Sequence, residues 1–184
     1  MKKVFLGVFI FALFNVAFGQ KDKVVLEAPY LPINEDTKLV TYQDVVTEKA
    51  SPQELYDRAM LWIKEHYKNT NEVIKSSDRE KGIINIRSSV RIYFKKEGGV
   101  STFRNIVYYN FKLECRQDRY RYTITDFKEN NAAGTQIETW FNRESPRWDS
   151  SYYDFLTQVD EQIRALIEKL EEGMLPKVEK VDEW

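Results

Sequence analysis

Between residues 84 and 124 apolar and polar side chains alternate with a period of two. Ile84, Ile86, Ser88, Val90, Ile92 and Phe94 interleave with Asn85, Arg87, Ser89, Arg91 and Tyr93. Gly98-Gly99 permits a reversal, because glycine reaches the backbone angles that tight turns demand. Phe103, Val107, Tyr109, Phe111, Leu113 and Cys115 then share one face, and a turn at Arg116–Asp118 leads into Tyr120, Tyr122 and Ile124 on that same face. Period two held through three consecutive runs predicts an antiparallel meander with one buried face. Two more strands are expected, over the β-branched residues 39–47 and the short run Val73–Ser76, the latter followed by a turn at Asp78–Gly82.

The period changes to that of a helix twice. Ser51 is placed to cap, Pro52 sits where its missing N–H costs nothing, and Glu54 completes a Ser-x-x-Glu capping box. Leu55, Ala59, Trp62, Ile63 and His66 follow along one face to about Tyr67. A second helix is predicted from about Ser150 to Glu172, with Phe155, Val159, Ile163, Leu166 and Leu170 in a stripe, ended by Gly173 and Pro176. At ~1.5–3 kcal/mol per fully buried side chain, such a stripe must cover an apolar surface, and the inner face of the sheet is the one available. Residues 128–149 are irregular but hold Ile137, Trp140, Phe141 and Trp148, so this loop is expected to pack. The reading is an α+β domain over 39–173 in the order β-α-β-β-β-β-α: a five-stranded antiparallel sheet with two helices on one face. Residues 20–38, with Pro29 and Pro32, read as an extended lead-in, and 174–184 as a charged tail.

The first nineteen residues belong to a different grammar. Lys2 and Lys3 precede an apolar run from Val4 to Phe18, and Ala17 and Gly19 supply small residues before Gln20. That is the pattern of a cleavable secretory signal, and the run is shorter than the ~20 residues a bilayer span needs. Export through this leader to the periplasm or the medium is expected, with no transmembrane anchor after cleavage. Removing the leader leaves 26 basic against 29 acidic residues. Neither that balance nor an exported address favours nucleic acid. The one cysteine, Cys115, cannot form an intrachain disulfide, so stability must come from packing.

At this point the chain resembles a bacterial secreted family of unknown function described as having a TBP-like fold. The resemblance rests on Leu31-Pro32-Ile33-Asn34, on Ser51-Pro52-Gln53-Glu54-Leu55-Tyr56-Asp57-Arg58-Ala59, on Trp62, and on Asp118-Arg119-Tyr120-Arg121-Tyr122-Thr123-Ile124. It spans roughly residues 30–127. It implies a curved antiparallel sheet backed by helices, the arrangement derived above, and it implies no activity. The nucleic-acid role that the fold's name suggests does not transfer, because fold does not fix function.

Chemistry is sparse. His66 is the only histidine and reads as a helix-surface or core-edge residue. Cys115 reads as a buried inert thiol, and one His with one Cys leaves a zinc cluster without ligands. Asp36, Asp44, Glu48, Asp118 and Asp126 fall at turns and strand ends. No Gly-rich loop precedes a helix as phosphate binding would want, and no cofactor is implied. One feature stands out: the face opposite the core carries Arg87, Arg91, Arg104, Lys112, Arg119 and Arg121, with Tyr93 and Tyr108 among them. Exposed strands need polar residues, and long cations discourage aberrant pairing, so solvation alone would account for such a face. The functional alternative is a binding surface, where guanidinium forks grip carboxylate or phosphate and tyrosines stack. Its partner would be an anionic glycan, a lipid headgroup, a peptide or a second copy of the chain. A non-catalytic binding module is thus expected first, a self-associating assembly component second and an enzyme third.

Overall fold

The computed structural model describes residues 27–95 and 99–177. The leader, Gly98 and the end of the charged tail lie outside the described residues. Strands β1 (Thr41–Thr47), β2 (Ile74–Asp78), β3 (Ile83–Lys95), β4 (Ser101–Arg116) and β5 (Arg119–Glu129) form one antiparallel sheet in the order β1-β5-β4-β3-β2. Helices α1 (Pro52–His66) and α3 (Ser151–Met174) cover one face, and α2 (Thr70–Val73) is a single turn leading into β2. The α+β class and the five-stranded sheet agree with the alternation. The short α2 occupies the start of the run expected as a strand from Val73.

The core lies between sheet and helices. Ile84, Ile86, Val90, Ile92, Phe111, Leu113, Tyr120 and Ile124 point inward and are buried, as are Leu55, Ile63, Phe155, Val159 and Ile163 from the helices. The loop after β5 packs as expected. Its 3-10 turn Ile137–Phe141 buries Ile137 and Trp140, and Trp148 donates its indole N–H to the Trp140 carbonyl at 2.8 Å.

Two local readings are corrected. Ser51 accepts the Glu54 N–H at 3.2 Å, but the Glu54 carboxylate turns to the Arg58 guanidinium four residues on, so the capping box is half formed. Gly173 does not end α3; it lies in the last turn, where a Cβ would overlap the Trp62 indole. Its lack of a side chain lets the two helices approach.

An edge problem is solved by side chains. β2 pairs with β3 only as far as Ile86, leaving the rest of that edge open. Gln158 of α3 accepts the Tyr93 N–H at 2.9 Å and donates to its carbonyl at 2.8 Å, while Gln162 does the same for Arg91 at 3.4 and 2.9 Å. Four helical residues rise ~6.0 Å and two strand residues ~6.8 Å, so amides at i and i+4 match alternate positions of a strand. Lys95 and Asp154 continue the ladder with an ion pair at 3.1 Å.

Candidate functional site

The outer face is assembled by the strict part of the register. Opposite Tyr120, Tyr122 and Ile124, which are buried, Arg119, Arg121 and Thr123 face outward on β5; opposite Phe111, Leu113 and Cys115, Lys112, Glu114 and Arg116 face outward on β4. The two-residue turn Gln117-Asp118 fixes this pairing. Asp118 takes a left-handed φ of 58°, its N–H bonds the Ala50 carbonyl at 3.0 Å, and its carbonyl accepts the Glu48 N–H at 3.1 Å. The hairpin end is therefore docked onto the link between β1 and α1.

That docking sets Arg116 directly across from Arg119. Like charges directly opposite each other are destabilising, and neither guanidinium has a carboxylate partner among the described residues. One row further along, Glu114 faces Arg121, which reaches it through Nε at 2.8 Å, and Lys112 reaches it at 3.1 Å. Burial works against the Glu114 charge, but its bonds to Arg121 and Lys112 outweigh that and hold the carboxyl below the usual carboxylate range. Glu114, Arg116, Arg119 and Arg121, with Val45 and Tyr120, line a shallow cavity of about 180 Å³.

The other predicted residues lie elsewhere. Arg87 lies over the Tyr108 ring, 5.3 Å from its centroid, in mid-sheet, and Arg91 is exposed on the same face. Tyr93 sits near the far end, edge-on to Phe103 at 5.9 Å. From Phe103 to Arg116 the strand extends roughly 40 Å, so the eight candidates do not converge on one small site.

Arg104 is not on the open face. Ile92 pairs with Asn105 and Tyr93 with Phe103, so Arg104 is an extra, unpaired residue in β4. The bulge turns its side chain to the helix side, where it meets Glu129 at 3.2 Å and lies 5.8 Å from the Phe94 ring centroid; Phe94 in turn packs edge-on to Phe155 of α3. The same extra residue carries Phe103, expected inside, to the outer face. Conversely, Arg116, by sequence a turn residue, joins the outer face opposite Arg119. The tight turn was the available signal, since two loop residues force the flanking pair to face one another.

His66 stacks on Trp62, with ring centroids 5.0 Å apart, and its pKa is lowered by burial and by Lys169. Among the described residues no carboxylate lines the cleft it enters, and Asp36, Asp44, Glu48, Asp118 and Asp126 are not among its walls. Cys115 is buried, and burial pushes its thiol up to about 12, so it carries no thiolate at neutral pH.

The geometry can be set beside known proteins. A family model described as a domain of unknown function (DUF4468) with TBP-like fold matches residues 42–130. That segment, α1 with all five strands, is what the chain shares with the DUF4468 family. Among solved structures, a DUF4468 family protein from Bacteroides ovatus aligns with a TM-score of 0.62 and 14% identity, over 82% of this chain and 94% of that one. A TBP-like protein from Parabacteroides distasonis aligns with a TM-score of 0.59 and 16% identity, over 74% and 92%. At these identities the likeness establishes the fold alone. The search of curated proteins gave no match. The match begins at Tyr42 and ends at Asn130, so the DUF4468 segment contains α1 and the whole hairpin that carries Arg116 and Arg119, and omits α3.

Proposed function

We propose that the protein is a non-catalytic binding module, exported by its N-terminal leader, that holds a carboxylate- or phosphate-bearing glycan of the cell envelope on its open sheet face. The reading is carried by the Arg116–Arg119 pair: two arginines directly opposite each other across a docked hairpin, neither with an ion-pair partner among the described residues, Glu114 beside them being held by Arg121 and Lys112. An anion bridging both would remove their repulsion and gain charge-assisted hydrogen bonds. Arg121 and Lys112, already engaged by Glu114, flank the position and extend the positive surface toward Arg87 and Tyr108. A polymer suits a face on which cations recur over a long stretch better than a compact ligand does.

The test is capture on immobilised alginate, a carboxylate-bearing glycan, with neutral dextran as the control. Retention on alginate that weakens with salt, and falls about tenfold or more when Arg116 and Arg119 are both changed to Ser, is expected. Equal retention on both matrices, or a double variant that binds alginate as well as the parent, would refute the reading.

A second reading has its own observation. A groove between β1 and α3 is lined by Glu48, Glu168, Glu171 and Glu172. Acid on that side and arginine on the open face would let one copy dock head-to-tail on the next, a non-closing contact that builds filaments. Light scattering at rising concentration and low salt distinguishes the two: growth in mass that salt reverses favours assembly, and a constant monomer favours the glycan module.

A further inference from the structure

The molecule has a second donor-rich recess, on the opposite side of the sheet and unrelated to the arginine face. It lies where the cover over β3 is incomplete. β2 stops pairing at Ile86 and the glutamine ladder of α3 begins at Arg91, so among the described residues neither strand nor glutamine pairs with the edge at Ser89. Arg91 and Tyr93 turn their backbone groups away from β4 toward α3, and by the strand's period Ser89 turns its own the same way. The end of α1 and the middle of α3 wall this gap into a cleft of about 260 Å³.

The chemistry of its walls is one-sided. The hydroxyls of Tyr67 and Tyr109 meet at 3.5 Å beside Ser88. Burial raises the pKa of both phenols, so they remain protonated donors. Lys169 stands at the rim, close enough to help lower the His66 pKa, and has no ion-pair partner among the described residues. Val90 and Leu166, both buried, supply an apolar wall. An ammonium, three hydroxyls and a free strand edge, with no carboxylate among them, form a setting that favours an anion with an apolar body. The volume falls below the ~300–1,000 Å³ of sites for drug-sized ligands, so the occupant is small.

We propose that this cleft binds a small organic carboxylate, its charged group facing Lys169 and the Tyr67, Tyr109 and Ser88 hydroxyls and its apolar part against Val90 and Leu166. The carboxylate would take the place of the acidic residue that the cleft lacks. The neutral imidazole of His66 closes one wall, stacked on Trp62 and edge-on to Tyr67, and contributes a flat surface with no competing charge.

Because His66 is the only histidine, its imidazole resonances report on this cleft without assignment of the rest of the chain. The experiment titrates benzoate into the purified chain while following those resonances, with benzamide as the uncharged match and inorganic phosphate as an anion without an apolar part. A saturable shift with benzoate is expected, accompanied by a rise in the His66 titration midpoint as the carboxylate offsets Lys169. Lys169→Gln should weaken benzoate about tenfold or more, Tyr109→Phe should weaken it less, and the Arg116→Ser, Arg119→Ser double variant should leave it unchanged. No saturable shift up to about 10 mM, well beyond the ~1 mM of a weak specific site, would overturn the proposal. So would benzamide or phosphate binding as well as benzoate, or Lys169→Gln binding undiminished. Loss of benzoate binding leaves alginate capture untouched, so the two readings fail separately.

Discussion

Between Asn110 and Arg116 β4 faces β5 in unbroken register, whereas toward its other end it meets a bulge on each side. Arg104 is the extra residue on β4, and on β5 Asp126 and Phe127 together face Tyr109. Asp126 takes a left-handed φ of 59° and turns outward to Asn110 and Lys128, while Phe127 goes to the core. The regular end exposes its arginines as a row and leaves two of them opposed. The bulged end takes an arginine of the same strand and places it against Glu129, whose side chain is only 10% exposed and is also held by Asn105. One residue type thus meets two environments: at one end it completes the fold, and at the other two arginines face each other with no ion-pair partner among the described residues.

That contrast can be broken from either end. Arg104→Ala should have the largest effect, lowering stability by about 2 kcal/mol in urea denaturation, because it leaves a nearly buried carboxylate without its cation; a change within ±0.5 kcal/mol would mean that the Asn105 and Asn131 amides, which also donate to Glu129, suffice. Glu114→Ala should cost about 1 kcal/mol by leaving Lys112, Arg116, Arg119 and Arg121 as neighbours, and added salt should restore part of it. Glu138 gives a pH test near the bulged end. Its Oε1 accepts the Val40 N–H at 2.6 Å, its Oε2 is buried without a partner among the described residues, and burial raises its pKa above the ordinary value of 4.5. A carboxyl with a raised folded pKa contributes stability that is complete below about 4.5 and is lost as pH rises through the raised value. Glu138→Gln stays neutral, so its stability should gain on the parent's from about pH 4.5 upward; parallel pH profiles would rule Glu138 out as the source. Arg119→Ser should have the smallest effect, a few tenths of a kcal/mol of stabilisation at low salt that fades as salt screens the Arg116 charge.

The same two ends explain how far residue order alone could be read. Alternation placed Tyr120, Tyr122, Arg119 and Arg121 on their faces because nothing interrupts the period between them. It failed at Phe103 and Arg104 because one unpaired residue reverses the faces beyond it, and no glycine marks that position. The open arginine face was therefore legible as a composition but not as a geometry. Arg116 entered it, Arg104 left it, and Lys112 and Arg121 were already bound to Glu114. The His66 cleft was not legible at all. It depends on where β2 stops and where Gln162 begins to cover β3, both consequences of tertiary packing. The placement of Gly173 against Trp62 has the same origin: a glycine near a helix end reads as a terminator until the neighbouring helix is present.

The glutamine ladder bears on how the chain survives its own synthesis. The five strands and α1 lie ahead of α3 in the chain, so the sheet can pair while the edge from Ser89 to Lys95 is still bare. A bare edge of that length is a template for a neighbouring chain. Gln158 and Gln162 close it only when the last element arrives, which makes α3 a gatekeeper against aggregation as well as a lid on the core. A product truncated before Gln158 would keep every strand yet carry its adhesive edge uncovered.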